Sequence, residues 1–239
     1  MADQLTLGLL GGTGPQGRGL ALRLATAGHQ VLLGSRNAER AASVVAELLG
    51  GRDLPITGVA NAEAATAADV VFLVFPFEGQ AAMLPDLAEA IGDKVVVDVI
   101  NPLVWDERGA FPLDVPEGSA AEQAQALLPR ARVVSGFHHA PPRVLADVEQ
   151  DCDTDVLVAG DDPAAKAAVI ELADQIPGSR GIDAGPLRLS RQLEGFTAVV
   201  VGVNRRYRVH AGVRITRLSE ERRRRVAPRP AGTERSASS

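Results

Sequence analysis

Gly12-Thr13-Gly14-Pro15-Gln16-Gly17 follows the apolar run Leu5 to Leu10, and the next apolar run, Val31 to Gly34, closes on Ser35-Arg36. Between them Gly19 to Ala27 reads as a helix that Gly28 can end. Strand, glycine-rich turn, helix and second strand in this order form the opening βαβ unit of a dinucleotide-binding sheet. Gly12 is expected to permit the tight reversal, Gly14 to let backbone amides approach a pyrophosphate, and Gly17 to let the helix pack closely on the strand. Pro15 suits the first helical turn, where its missing donor would have had no partner. Thr13 and Gln16 complete a turn in which phosphate sits at a helix N-terminus.

The end of the second strand decides which dinucleotide. A site selective for NAD places Asp or Glu there to accept from the ribose 2′-hydroxyl. Here Ser35 carries no charge and Arg36 is a cation, with Arg40 one turn into the next helix after Asn37 as its N-cap. A charge pair roughly 4 Å apart at an effective dielectric of about 20 is worth about 4 kcal/mol before desolvation, so this pattern predicts a preference for NADP.

Outward from this unit, Gln30 to Gly34, Ile56 to Ala60, Val70 to Phe75 and Val95 to Ile100 read as strands separated by helices, including Ala38 to Leu49 and Gly79 to Ile91. That alternation predicts an α/β chain with a Rossmann-type, doubly wound parallel sheet. The strands are apolar on both faces, as helical cover on each side requires. Ligands of such sheets lie beyond the carboxyl ends of the strands. Phe75-Pro76-Phe77 there offers a wall for an aromatic ring, and the amide of Asn101 could reach a nicotinamide carboxamide. Residues 1–135 are read as the NADP-binding domain and 136–218 as a smaller α/β part. Arg132 to Ser135 reads as the strand that ends the former and Asp155 to Ala159 as a strand of the latter, in which a long apolar helix covers about Leu187 to Val203. Such a helix is expected to pack on another subunit or to close a cleft, so a homodimer is expected.

The 239 residues are 46% hydrophobic, enough for a sizeable core, and no apolar stretch is long enough to span a membrane. With no signal-peptide pattern, a cytoplasmic protein without membrane partners is expected. Cys152 is the only cysteine, which excludes an internal disulfide, and the four histidines have no metal-ligand spacing, so no metal site is expected. The net charge of −5 conceals eleven arginines against three glutamates from Asn204 onward, which leaves about −13 on the preceding residues. An acidic body speaks against nucleic acid as a partner. Residues 219–239 read as a disordered basic tail with almost nothing to bury.

Redox chemistry must then come from organic cofactors, and hydride transfer between two held rings needs no strong nucleophile. The sole tyrosine, Tyr207, has Ala211 where a short-chain dehydrogenase has lysine, and no Gly-x-Ser-x-Gly elbow occurs. The best polar candidate for catalysis is His138, in the loop Gly136-Phe137-His138-His139-Ala140-Pro141-Pro142, as a hydrogen-bond donor that steadies developing charge.

The segments Gly11 to Ala25, Gly34-Ser35-Arg36, Gly136-Phe137-His138, Ala159-Gly160-Asp161-Asp162 and Asp183 to Leu187 resemble the F420-dependent NADP oxidoreductases, in order, from about Leu5 to Leu218. The resemblance implies reversible hydride exchange between NADP(H) and coenzyme F420, an 8-hydroxy-5-deazaflavin. It implies that Thr13 to Gln16 hold the pyrophosphate, that Ser35, Arg36 and Arg40 hold the 2′-phosphate, and that Phe75, Phe77 and Val104 line the nicotinamide side. His138 and Pro142 would border the deazaflavin, with residues 136–218 completing its cleft. The phosphate and glutamate tail of F420 is anionic, so Arg205, Arg206 or Arg208 is expected to attract it. A non-catalytic NADP(H)-sensing module, and a reductase of another small substrate, flavin or ferric iron, remain alternatives.

Overall fold

The computed structural model describes residues 4–226. Its first half runs β1 (Thr6–Leu10), α1 (Pro15–Thr26), β2 (Gln30–Ser35), α2 (Ala38–Leu49), β3 (Ile56–Ala60), α3 (Asn61–Ala67), β4 (Val70–Leu73), α4 (Gln80–Ile91) and β5 (Val95–Asp98). A hairpin, β6 (Leu103–Asp106) and β7 (Gly109–Pro112), follows. Then come α5 (Ala120–Leu127), β8 (Arg132–Ser135), α6 (Pro142–Ala146), β9 (Thr154–Gly160), α7 (Pro163–Asp174), β10 (Ser179–Gly185), α8 (Ser190–Tyr207) and α9 (Glu220–Val226).

Eight strands form one sheet in the order β10-β9-β8-β5-β4-β1-β2-β3. Neighbours pair in parallel except β8 with β9, which meet antiparallel at Val134–Gly160 and Ser135–Ala159. Alternate strand residues feed two cores. Leu7, Leu9, Val70, Phe72, Val95 and Val97 pack on one face with residues of α1, α2 and α7. Leu10, Val71, Leu73 and Val96 pack on the other with residues of α3, α4 and α5. Both faces are apolar because both are covered.

Four features differ from the sequence reading. Beyond Ser135 the chain continues the same sheet, so residues 1–135 and the smaller α/β part share one layer. The hairpin β6–β7 occupies a stretch to which the sequence pattern assigns no element, its register carried by Leu103–Pro112 and Val104–Phe111 pairs. Strand β10, Ser-Arg-Gly-Ile-Asp-Ala-Gly, has poor strand propensity and is held by pairing with β9 and by ion pairs Arg180–Asp155 at 2.7 Å and Lys166–Asp183 at 2.9 Å. Finally, residues expected to be disordered after Leu218 form α9, where Arg223 donates to Asp174 at 2.6 and 2.7 Å and to the Gly181 carbonyl at 2.9 Å. The expectation counted apolar burial, whereas a multidentate arginine supplies the anchor. The remainder of the expected tail, 227–239, lies outside the described residues.

One buried side chain joins the two halves. Arg23 of α1, 1% exposed, donates to the carbonyls of Val144, Leu145, Asp147 and Gln150 just after the histidine loop. A Cβ on Gly19 would lie 2.6 Å from the Leu145 Cβ, so α1 and α6 are in close contact. The helix that opens at the glycine turn is thereby locked to the segment that carries the histidines.

Candidate functional site

The turn after β1 places its left-handed residue at Gly11, φ 70°, one position before the glycine expected to take it. Gly12 instead donates its amide to the carbonyls of Leu9 and Gly34, each at 3.1 Å, which ties the turn to β2. A Cβ on Gly17 would lie 2.3 Å from the Gly12 carbonyl oxygen, as close packing of helix on turn requires. Gly14 is the N-cap of α1, with Pro15 following, and has nothing within 4 Å of where its Cβ would be. Open space beside the unpaired amides of a helix start suits a pyrophosphate.

At the end of β2, Ser35 is buried and its Oγ accepts from the Asn37 amide at 3.3 Å. Asn37 caps α2 by accepting from the Arg40 amide at 2.8 Å. The Arg36 and Arg40 side chains are exposed. Neither has a carboxylate partner in an ion pair among the described residues. Two unneutralised cations at the edge of the cradle suit a 2′-phosphate.

The aromatic wall divides. Phe75 is 7% exposed and belongs to the core, packed under Gly11, where an added Cβ would be 2.6 Å from its own Cβ. Phe77 is half-buried at the start of a short 3₁₀ turn, and Val104 is half-buried in β6. These three do not line the cleft that gathers Gln16, Asn101, His138 and Pro142.

That cleft has a volume of about 400 Å³. Gln16, the residue after Pro15, lines it and donates from Nε2 to the Phe137 carbonyl at 3.2 Å, so the glycine-rich turn and the cleft share this residue. Phe137 takes the left-handed φ of 62°, with its ring buried against Phe72 at 5.9 Å, and this bend carries the next residue to the cleft. Both ring nitrogens of His138 are buried and lack a well-formed hydrogen bond, with only a backbone contact to Val99 beside them. Burial, with His139 beside it, pushes its pKa down to about 3, so the ring is neutral at physiological pH and offers one N–H and one lone pair. His139 is held differently, its Nε2 2.8 Å from the Leu193 carbonyl and its ring edge-on to Phe196 at 5.4 Å. Asn101 accepts from the Thr197 hydroxyl at 2.9 Å, which leaves its NH2 group as the donor toward the cleft.

Helix α8 supplies what sequence reading missed. Its buried positions include Ser190, Glu194 and Thr197, whereas Phe196, Val199, Val203 and Tyr207 are exposed. Ser190 donates to the Ser135 hydroxyl at 2.7 Å, and Glu194 accepts from the amides of Ala120 and Ala121 at 2.9 and 3.2 Å, at the start of α5. Burial pushes the Glu194 carboxyl up to about 8 and the nearby Asp98 carboxyl up to about 7. Polar residues at 190, 194 and 197 follow the spacing of one helical face, a signal present in the sequence but obscured by the apolar residues around it.

Residues 6–102 match the family described as NADP oxidoreductase, coenzyme F420-dependent. The F420-dependent NADP reductase of Methanothermobacter thermautotrophicus is 40% identical over 225 residues, covering 91% of this chain and 97% of that protein. The enzyme of the same name from Methanocaldococcus jannaschii is 41% identical, covering 90% and 99%. The chain belongs to this family. A crystal structure from Arthrobacter sp. FB24, provisionally named an F420-dependent NADP reductase, superposes with a TM-score of 0.76 at 26% identity, covering 86% of this chain and 96% of that one. The full-length matches extend family membership past Pro102 to the histidine loop and α8, which lie beyond the matched N-terminal stretch.

Proposed function

We propose that this protein catalyses reversible hydride transfer between NADP(H) and coenzyme F420. NADPH supplies a hydride from nicotinamide carbon 4 to deazaflavin carbon 5, and one proton from solvent balances the reduction. The observation that carries this reading is that Gln16 belongs both to the glycine-rich turn, with the exposed Arg36 and Arg40 after β2, and to a cleft lined by the buried, neutral His138. Such an arrangement suits two flat carriers held face to face.

In this reading Gly12, Gly14 and Gly17 shape the cradle, and Thr13 to Gln16 bind the pyrophosphate. Ser35, Arg36 and Arg40 select NADP over NAD. Phe77 and Val104 border the nicotinamide, and Phe75 supports the turn from beneath. The free NH2 of Asn101 meets a ring carbonyl or carboxamide, while His138 donates to the deazaflavin, whose ring rests against Pro142. A buried imidazole without a well-formed hydrogen bond fits this role, because a polar group left unsatisfied in the interior costs about 1–3 kcal/mol that a bound carbonyl would recover. The protein acts in the cytoplasm as a homodimer, which the outward apolar face of α8 supports; no helix of the described residues is long and apolar enough to cross a membrane.

The test is optical. Purified protein mixed with NADPH and F420 should bleach the oxidised deazaflavin absorbance, and NADH should serve poorly. Tight NADPH binding without bleaching would support a sensing module instead, and equal turnover of an ordinary flavin would remove the deazaflavin from the proposal.

A further inference from the structure

The cleft that ends inwardly at His138 has a charged outer end. Arg143 is the one arginine or lysine among its lining residues, and no aspartate or glutamate lines it, in a chain with 30 acidic residues. Arg143 has no carboxylate partner in an ion pair among the described residues; its guanidinium Nη1 lies 3.3 Å from Nε2 of His210. Both members are exposed, while His138 is buried. The backbone under each is fixed. Arg23 clamps the carbonyls of Val144 and Leu145 beside Arg143, and Asn204 accepts the Ala211 amide at 2.7 Å beside His210. Arg205 and Arg206 line a different hollow with Trp105 and Arg108.

We propose that Arg143, oriented by His210, binds the phosphate on the tail of the deazaflavin, and that this pair, rather than the arginines at 205, 206 and 208, distinguishes the tailed carrier from one cut back to its ring and ribityl chain. The inference rests on the function proposed above. A guanidinium fork matches phosphate oxygens, and one held without a carboxylate needs no ion pair broken on binding. Placing it at the open end lets the ring enter the dry end while the anion stays near water. His210 is a positioning residue, its ring nitrogen accepting from Arg143.

Steady-state kinetics with F420 and with the same deazaflavin lacking phosphate and tail tests this. Arg143→Ala should raise KM for F420 about tenfold, leave KM for the truncated carrier and for NADPH within about twofold, and be partly rescued by Arg143→Lys. His210→Ala should raise KM for F420 by a smaller factor without moving the truncated carrier. The wild-type protein should favour F420 over the truncated carrier at low salt and lose that preference at high salt. Equal KM for the two carriers in the wild type, or an equal rise for both in Arg143→Ala, overturns the proposal while the hydride-transfer reading stands. Failure of the wild type to reduce either carrier overturns both.

Discussion

At the scale of single residues, charge and desolvation govern the site. Arg36 follows β2 where an acidic residue would select NAD, and it has no carboxylate to break from. Arg36→Glu should shift the ratio of kcat/KM for NADPH over NADH by about two orders of magnitude, equivalent to ~3 kcal/mol. An unchanged ratio would remove Arg36 from cofactor selection. His138 is held neutral, with a pKa pushed down to about 3. In the proposed function it donates a hydrogen bond without changing its charge during turnover. His138→Ala should lower kcat with F420 by about 10- to 100-fold and leave KM for NADPH unchanged. The same substitution should leave the shape of the kcat profile unchanged between about pH 5 and 8, since an ordinary histidine would have titrated near 6.5. A lost inflection in the variant would contradict the neutral ring.

At the scale of elements, two packings decide whether the site assembles. Helix α1 touches the glycine turn so closely that a Cβ on Gly17 would be 2.3 Å from the Gly12 carbonyl oxygen. Gly17→Ala should cost about 2–4 kcal/mol in chemical denaturation and abolish NADPH binding, because helix and turn must separate to admit a methyl group. Helix α8 meets the start of α5 through Glu194, whose carboxyl is pushed up to about 8, with Asp98 pushed up to about 7. Both groups bind protons more tightly folded than unfolded. Their contribution to stability is complete below the ordinary carboxyl range and is lost as pH rises through the folded values. Between about pH 5 and 8 the melting temperature should fall, and in Glu194→Gln it should fall less. Parallel curves for the two proteins would show that Glu194 is already ionised in the fold.

At the scale of the whole molecule, α8 buries polar residues and exposes apolar ones. A surface helix turns its apolar stripe inward, whereas Phe196, Val199 and Val203 are 44, 55 and 39% exposed while Ser190, Glu194 and Thr197 are buried beside Val200. These exposed apolar side chains are what the proposed dimer would cover. Val199→Asp should convert a dimer to a monomer in light scattering with the melting transition retained, and a monomeric wild type would remove the dimer from the proposed function. The sequence alone determined the glycine-rich turn after β1, to within one residue, the first five parallel strands and the exposed cation Arg36 after β2. Each is written in local β-α units, where strand period, turn chemistry and a single charge act over a few residues. The antiparallel step from β8 to β9, the strand β10 built from poor strand formers, and the ordered α9 held by Arg223 were decided by partners distant in the chain. So were the burial of His138, the raised carboxyl of Glu194 and the meeting of Arg143 with His210. Apolar periodicity reports that a face avoids water without saying which surface will cover it, and a side chain's solvation and charge partners exist only after the chain has folded around them.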